Sequence, residues 1–304
     1  MTTVYIASIS GGKDSAAMAL HLKEKGVECR NTFFDTGWEH PLVYEYIRTT
    51  LTDAIGHIET IEPPMPELDE EQEALAIKYE DRLGHRSAMI RWTVKKGMFP
   101  SRKRRWCTDH LKIRTLKKLL RPMLEDGLLP VNTVGIRAAE SKARAKLPER
   151  ELSTSLDCMV WRPIISWSKQ DVIDIHTRHG LLPNPLYLKG ADRVGCWPCI
   201  YSRKSEVRFL AETDQHRVDL VRDLEADVGT LTLKRYERKG DSFSGVLPTF
   251  FGQNGPSGND MTTIDEMVRW SKTSFGGKQF NFFREDELEP GCMSWGLCDA
   301  GEGT

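Results

Sequence analysis

Six residues near the start of the chain, Ser10-Gly11-Gly12-Lys13-Asp14-Ser15, have the types and spacing to hold an anion. They follow a short β-rich apolar run, Val4–Ile9, and precede an apolar helical pattern (Ala16, Ala17, Ala19, Leu20, Leu22) that stops at Gly26. The glycines let a ligand come close to the backbone. The start of the helix offers unpaired N–H groups and the positive end of a dipole. Together these make a cradle suited to phosphate. The spacing is neither that of a Walker A loop nor that of the dinucleotide Gly-x-Gly-x-x-Gly. A plain tight turn, with Ser10 or Asp14 as a helix cap, is the alternative use of the same residues.

The cysteines form a second constellation. Cys196-Trp197-Pro198-Cys199 places two thiols at a spacing that can chelate a metal or act as a redox dithiol. Cys107 lies in Arg104-Arg105-Trp106-Cys107-Thr108, where basic neighbours should depress its pKa. Its distance from Cys196 along the chain is too long for a local zinc knuckle. Cys29 and Cys158 read as small buried hydrophobes. Seven cysteines, an odd number at uneven spacing, argue against a disulfide framework.

Arginines and carboxylates supply the rest. Arg137 and Arg144 can make bidentate contacts to phosphate or sulfate, or can be a solvated basic face. Asp35 stands at the end of a strand, where α/β sheets bind ligands, or serves as a turn acid. Residues 91–121 hold twelve basic residues against one acid, Asp109. That stretch can be a lid over nucleotide phosphates, a contact for a nucleic-acid backbone or a solvated face. Trp92, Phe99 and Trp106 lie within it, where they can stack on bases or fill core.

The elements that must position these groups alternate. Strands are expected over Val4–Ile9, Glu28–Phe34, Ile58–Ile61, Val131–Ile136 and Val160–Ile165. Helices are expected over Pro41–Ile55, 67–83, Lys169–Arg178, 203–227 and Thr263–Lys272. Strand alternating with helix predicts an α/β, doubly wound, mostly parallel sheet with right-handed crossovers. The 304 residues allow two units, expected as a nucleotide-binding domain over 1–210 and a helical, irregular C-terminal extension over 211–304. The net charge of −1 excludes a globally basic nucleic-acid binder but not a local basic face. With no run of 18 apolar residues and no signal-peptide pattern, no membrane partner is expected and the location is read as cytoplasmic.

Ser-Gly-Gly-x-Asp-Ser after the first strand resembles the signature of the PP-loop ATP pyrophosphatases, the adenine nucleotide α-hydrolase-like superfamily. Further blocks are similar to its phosphoadenosine phosphosulfate (PAPS) reductase-like branch. They are Asp35-Thr36-Gly37, Gly135-Ile136-Arg137-Ala138-Ala139-Glu140-Ser141-x-x-Arg144, Trp161-Arg162-Pro163-Ile164-Ile165-x-Trp167-x-x-x-Asp171-Val172, and Asn184-Pro185-Leu186-Tyr187 continuing through Gly190 to Arg193-Val194-Gly195-Cys196. The matches cover about residues 4–210. The resemblance implies that Ser10, Gly11, Gly12, Asp14 and Ser15 surround a pyrophosphate or phosphosulfate group, with Lys13 assisting. Asp35, Thr36, Gly37, Arg137 and Arg144 would complete a nucleotide site. It also implies that Cys107, ahead of Leu111-Lys112-Ile113, joins Cys196 and Cys199 around an iron–sulfur cluster (4Fe-4S), with zinc as the alternative. Two departures stand out: one cysteine, not a Cys-Cys pair, occupies the first site, and the tail Gly291-Cys292-Met293-Ser294-Trp295-Gly296-Leu297-Cys298 lacks the reductases' C-terminal cysteine motif.

Three functions are compatible with these residues. The first is adenylylating ATP pyrophosphatase chemistry with Mg²⁺, coupled to sulfur transfer, in which Asp14 and Lys13 act catalytically. The second is reduction of PAPS or adenosine phosphosulfate, with Cys298 or Cys292 as nucleophile. The third is a non-catalytic nucleotide- or nucleic-acid-binding subunit of a modification complex. The implied partners are an adenine nucleotide, a sulfur or electron donor protein, and DNA or tRNA held by residues 91–121.

Overall fold

The computed structural model describes residues 2–101, 103–242, 245, 247–252, 263–274 and 295. Six strands form one sheet: β1 (Thr3–Ile9), β2 (Cys29–Phe34), β3 (Ile58–Ile61), β4 (Leu129–Val134), β5 (Arg150–Ser153) and β6 (Cys158–Trp161). Their spatial order is β3-β2-β1-β4-β6-β5. All neighbours run parallel except β5, which pairs antiparallel with β6. The doubly wound, mostly parallel architecture is therefore as expected. The order reverses at β1: the chain moves outward to β2 and β3, then returns to place β4 on β1's other side. Ligands of such sheets bind at that switch point, beyond the strands' carboxyl ends.

The elements follow from local sequence. Helix α1 (Lys13–Glu24) is nearly all small or aliphatic on its buried side, with Ala16, Ala17, Met18 and Leu20 fully enclosed. The helix over Pro41–Ile55 is continuous but widens to a π-turn at Ile47–Leu51. The long helix expected over 203–227 is two helices, Lys204–Thr213 and Gln215–Arg238. Asp214 breaks it, because its carboxylate accepts the Arg217 N–H and caps the second helix. The second helix outruns the expectation to Arg238 because Val228 and Leu231 remain buried. Strand β5 was not foreseen: Arg-Glu-Leu-Ser is a short, half-exposed edge strand, and Leu152 faces solvent.

Residues beyond 210 share the main apolar cluster. Val218, Leu224, Phe250 and Ile264 pack with Ala7, Leu20 and Trp38 in one core. Glu225, itself buried, ties this region together. Its carboxylate accepts N–H bonds from Phe250 (2.8 Å) and Ile264 (3.1 and 3.2 Å). Burial pushes its pKa up to about 7 from 4.5. The folded pKa exceeds the unfolded one, so this contribution to stability is complete below pH 4.5 and is lost as pH rises through 7. Glu225→Gln should flatten the stability–pH curve across that window, as read by denaturant melts at stepped pH. Glu225→Leu leaves two buried N–H groups without acceptors and should cost about 3 kcal/mol.

Candidate functional site

Three strand ends deliver the loops. Beyond β1 lies Ser10–Ser15, beyond β2 lies Asp35–Glu39, and beyond β4 lies Gly135–Arg137. The first loop is tied by its serines: Ser15 Oγ donates to the Gly12 carbonyl (2.9 Å) and accepts the Ser10 N–H (3.1 Å). No side chain caps α1, so its first-turn amides stay open to an anion, apart from the Lys13 N–H, which donates to Tyr187 Oη (3.2 Å). Gly11 has φ +69°, and a Cβ there would meet Val43 Cγ1 at 2.8 Å. Gly135 permits a closer approach still, since its Cβ would lie 2.6 Å from the Asp14 carbonyl oxygen. The backbone after β4 thus lies directly against the loop. Gly135→Ala should push the two apart, costing about 3 kcal/mol by thermal melt and loosening the cradle.

The charged residues of the cradle are already paired. Arg137 Nε donates to Asp14 Oδ1 at 2.5 Å, and the arginine side chain is only 8% exposed. Arg144 pairs with Glu140 and is half-buried. Lys13 lies over the Tyr187 ring (4.4 Å) and donates to the Asp192 carbonyl (3.3 Å). Burial lowers its pKa, against the attraction of Asp14. Asn184 donates to the Gly11 carbonyl (3.3 Å), so the Asn184–Tyr187 segment braces the loop from outside.

Asp35 acts first as a turn acid. Its Oδ1 accepts the Gly37 N–H and the Tyr44 hydroxyl, both at 2.8 Å. Thr36 is buried and donates to Glu39 Oε1 (2.8 Å), while Tyr44 also reaches Glu39 Oε2 (3.1 Å). Gly37, at φ +67°, would carry a Cβ 2.5 Å from Ser87 Cα, so no larger residue fits. Glu39, buried and raised in pKa chiefly by that burial, pairs through its backbone with Cys196. This link joins the Asp35 loop to the Cys196–Cys199 loop, and the Val194 carbonyl lies 3.4 Å from where a Cβ on Gly12 would stand.

Lys112, exposed at the surface, lies close enough to these groups to act on their charge. Cys196 raises its pKa most, followed among its neighbours by Glu39, Cys199 and Cys107. The three thiols therefore feel one charge in common. Burial pushes Cys196 up to about 12 and raises Cys107 as well. The expectation that basic neighbours depress Cys107 is overturned: desolvation outweighs the pull of Lys112. The donors suit an iron–sulfur cluster or zinc in chemical kind. Their arrangement does not: among the described residues no group of three or more Cys, His, Asp or Glu side chains can hold a metal ion. Cys292 and Cys298 lie outside the described residues.

One side chain near the site, His176, carries no local signal in the sequence. His176 is buried, donates from Nδ1 to the Val172 carbonyl (2.7 Å), and has no partner at Nε2 among the described residues. Its ring and that of Tyr187 both meet Trp295 of the tail, at 5.2 and 5.8 Å between centroids. Asp14 and Lys13 act on its charge, which places this aromatic cluster beside the loop. In the basic stretch, Phe99 and Trp106 are core residues. Trp92 stacks on His110 at 4.3 Å. Arg91 is buried and clamped by Glu73 and Glu80. No described helix is long and apolar enough to cross a membrane.

Comparison with known proteins identifies the family. Residues 4–202 match the phosphoadenosine phosphosulfate reductase domain. The 37.8 kDa protein of the gpa 5′ region of Escherichia phage 186 is 30% identical over 341 residues, spanning 98% of this chain and 97% of that protein. The adenosine 5′-phosphosulfate reductase of Streptomyces coelicolor is 38% identical over 78 residues, which is 25% of this chain and 33% of the enzyme. The PAPS reductase of Candida auris in a phosphate complex overlays at a TM-score of 0.45 and 19% identity, over 64% of this chain and 82% of that one. The chain belongs to the phosphoadenosine phosphosulfate reductase domain family.

Proposed function

We propose that the chain is an enzyme that binds ATP, or a related adenine nucleotide, with its phosphates in the Ser10–Ser15 loop. The uncapped N-terminus of α1 at the switch point of the sheet carries this reading. Ser10, Gly11, Gly12 and Ser15 line the phosphates, and Lys13 neutralises charge on them. Arg137 and Arg144 reach the phosphate or sulfate side once their carboxylate partners yield, while Asp35, Thr36 and Gly37 shape the wall towards Glu39. With Mg²⁺ on the phosphates, a substrate oxygen attacks the α-phosphorus and pyrophosphate leaves, its charge met by the loop amides. A sulfur nucleophile then displaces AMP from the activated substrate. Asp14 holds Arg137 in place in the free protein and releases it to the phosphates when nucleotide binds.

Cys107, Cys196 and Cys199 are the proposed thiols for an iron–sulfur cluster, with zinc as the alternative and sulfur carriage as a further use; as placed they form no metal-holding group, so loading would have to draw them together. The Lys112 ammonium favours the thiolate forms of Cys196 and Cys107 that either use requires. Metal loading would require proton release from Cys196 and Cys107, so uptake should strengthen with pH.

A second reading, reduction of PAPS or adenosine phosphosulfate, draws on one specific observation. Trp295 packs on His176 and Tyr187, and it lies three residues from both Cys292 and Cys298. In that reading the Cys298 thiolate attacks the sulfonate sulfur, the S–O bond to the nucleotide breaks, and a dithiol donor protein releases sulfite. Anaerobic purification with iron and sulfide analysis, followed by turnover with ATP and with PAPS, separates the readings. Pyrophosphate release supports the first and sulfite release the second; binding without turnover of either would leave a non-catalytic subunit.

A further inference from the structure

The structure sorts the basic stretch into three groups. Arg91 is internal, and Lys112, though exposed, is set apart by its place beside Glu39 and the thiols of Cys107, Cys196 and Cys199. The remainder forms a surface. Arg114, Lys117, Lys118 and Arg121 follow the spacing i, i+3, i+4, i+7 on the helix Arg114–Glu125 and are all exposed. Leu116 and Leu120 are buried on the opposite side. The stripe is therefore one helix face, about 10 Å long from first to last residue. Arg114 pairs with Asp109 and Arg121 with Glu125, both exposed pairs of small worth. Lys117 and Lys118 have no acidic partner among the described residues, nor do Lys103 and Arg104 in the exposed loop before Cys107.

The placement gives the stripe a direction. The same helical run begins with Trp106–Thr108 and Asp109–Ile113, so its N-terminal end carries Cys107 and Lys112, which lie near Cys196 and Cys199. The stripe starts one residue beyond Ile113 and leads away from these thiols. We propose that this surface binds the phosphodiester backbone of a nucleic acid, which then presents a base or sugar to the site; the inference rests on the nucleotide-dependent reading above. A polyanion is favoured because the cations repeat along a line, whereas one small anion needs only the Ser10–Ser15 loop. Phe99 and Trp106 are buried and Trp92 is stacked on His110, so binding should depend on charge and little on sequence.

The test uses the full chain and fluorescence anisotropy with labelled single-stranded DNA, single-stranded RNA and duplex DNA between 50 and 300 mM salt. The wild type should bind at least one of them, with log K falling linearly against log salt. Reversing Arg104→Glu, Lys117→Glu and Lys118→Glu together should weaken binding at least tenfold at about 100 mM salt. It should also reduce the slope by about 0.7 to 0.9 for each lost contact. A control of equal charge, Lys25→Glu, Lys146→Glu and Lys239→Glu, should bind nearly as the wild type does. Binding of ATP or PAPS, measured separately by calorimetry, should be unchanged in both variants, which keeps this proposal distinct from the nucleotide site. Absence of salt-dependent binding to all three nucleic acids, or equal loss in both variants, overturns it. The first outcome would leave an acidic protein as the partner.

Discussion

Gly12→Asp will lose at least about 100-fold in affinity for adenine nucleotide, near 2.7 kcal/mol, while remaining folded. Both halves of that expectation come from the geometry. Gly12 has φ −89°, open to any residue, and a Cβ there meets nothing nearer than Val194 O at 3.4 Å. The fold therefore tolerates the side chain. The carboxylate, however, enters the mouth of an uncapped helix N-terminus. There it caps the amides itself and repels phosphate. Calorimetric titration with ATP and with PAPS, beside an unchanged thermal melt, checks it. Unaltered affinity in a folded variant would remove the phosphate-loop assignment.

Arg137→Ala will cost about 3–5 kcal/mol of stability, and Asp14→Ala a similar amount, because each leaves its partner as an enclosed charge. Loss of nucleotide binding in Asp14→Ala would therefore be ambiguous, which makes Gly12→Asp the cleaner probe. The double variant Asp14→Asn with Arg137→Gln removes both charges and should recover much of the lost stability in a denaturant double-mutant cycle. It should not recover nucleotide binding, since Arg137 would no longer be present to meet an anion. Additive single effects would show that the pair does not operate as a unit.

The parallel sheet was legible because its strands are short apolar runs between helical patterns, and a buried strand and an amphipathic helix leave different periodicities. Strand β5 was not, because an exposed edge strand with Arg150 and Glu151 carries neither period. The break at Asp214 is a capping decision made by one carboxylate inside an otherwise helical stretch. At the site, Ser10–Ser15 could be read from local spacing, since a loop between strand and helix is built from neighbours. Its partners could not. Tyr187 reaches Lys13 from 174 residues away, and Lys112 meets Glu39 and Cys196 only through the fold. Charge was countable in residues 91–121, but its surroundings were not: the burial of Arg91 and the charges beside Lys112 depend on carboxylates and thiols supplied by distant elements. For the same reason, the pKa of Cys107 followed its burial and not its basic neighbours.

The central claim is that the loop following β1 receives the nucleotide's phosphates. Amide hydrogen exchange with and without saturating ATP or PAPS tests this most directly, because the first-turn amides of α1 are the groups said to bind. Protection is predicted at Gly11, Gly12, Asp14 and Ser15, since the Lys13 and Ala16 amides already donate to Tyr187 and to the Gly12 carbonyl, with smaller changes at Asn184–Tyr187, where the bracing side chains lie. Saturable nucleotide binding that leaves the amides of Gly11, Gly12, Asp14 and Ser15 exchanging as in the free protein would contradict it.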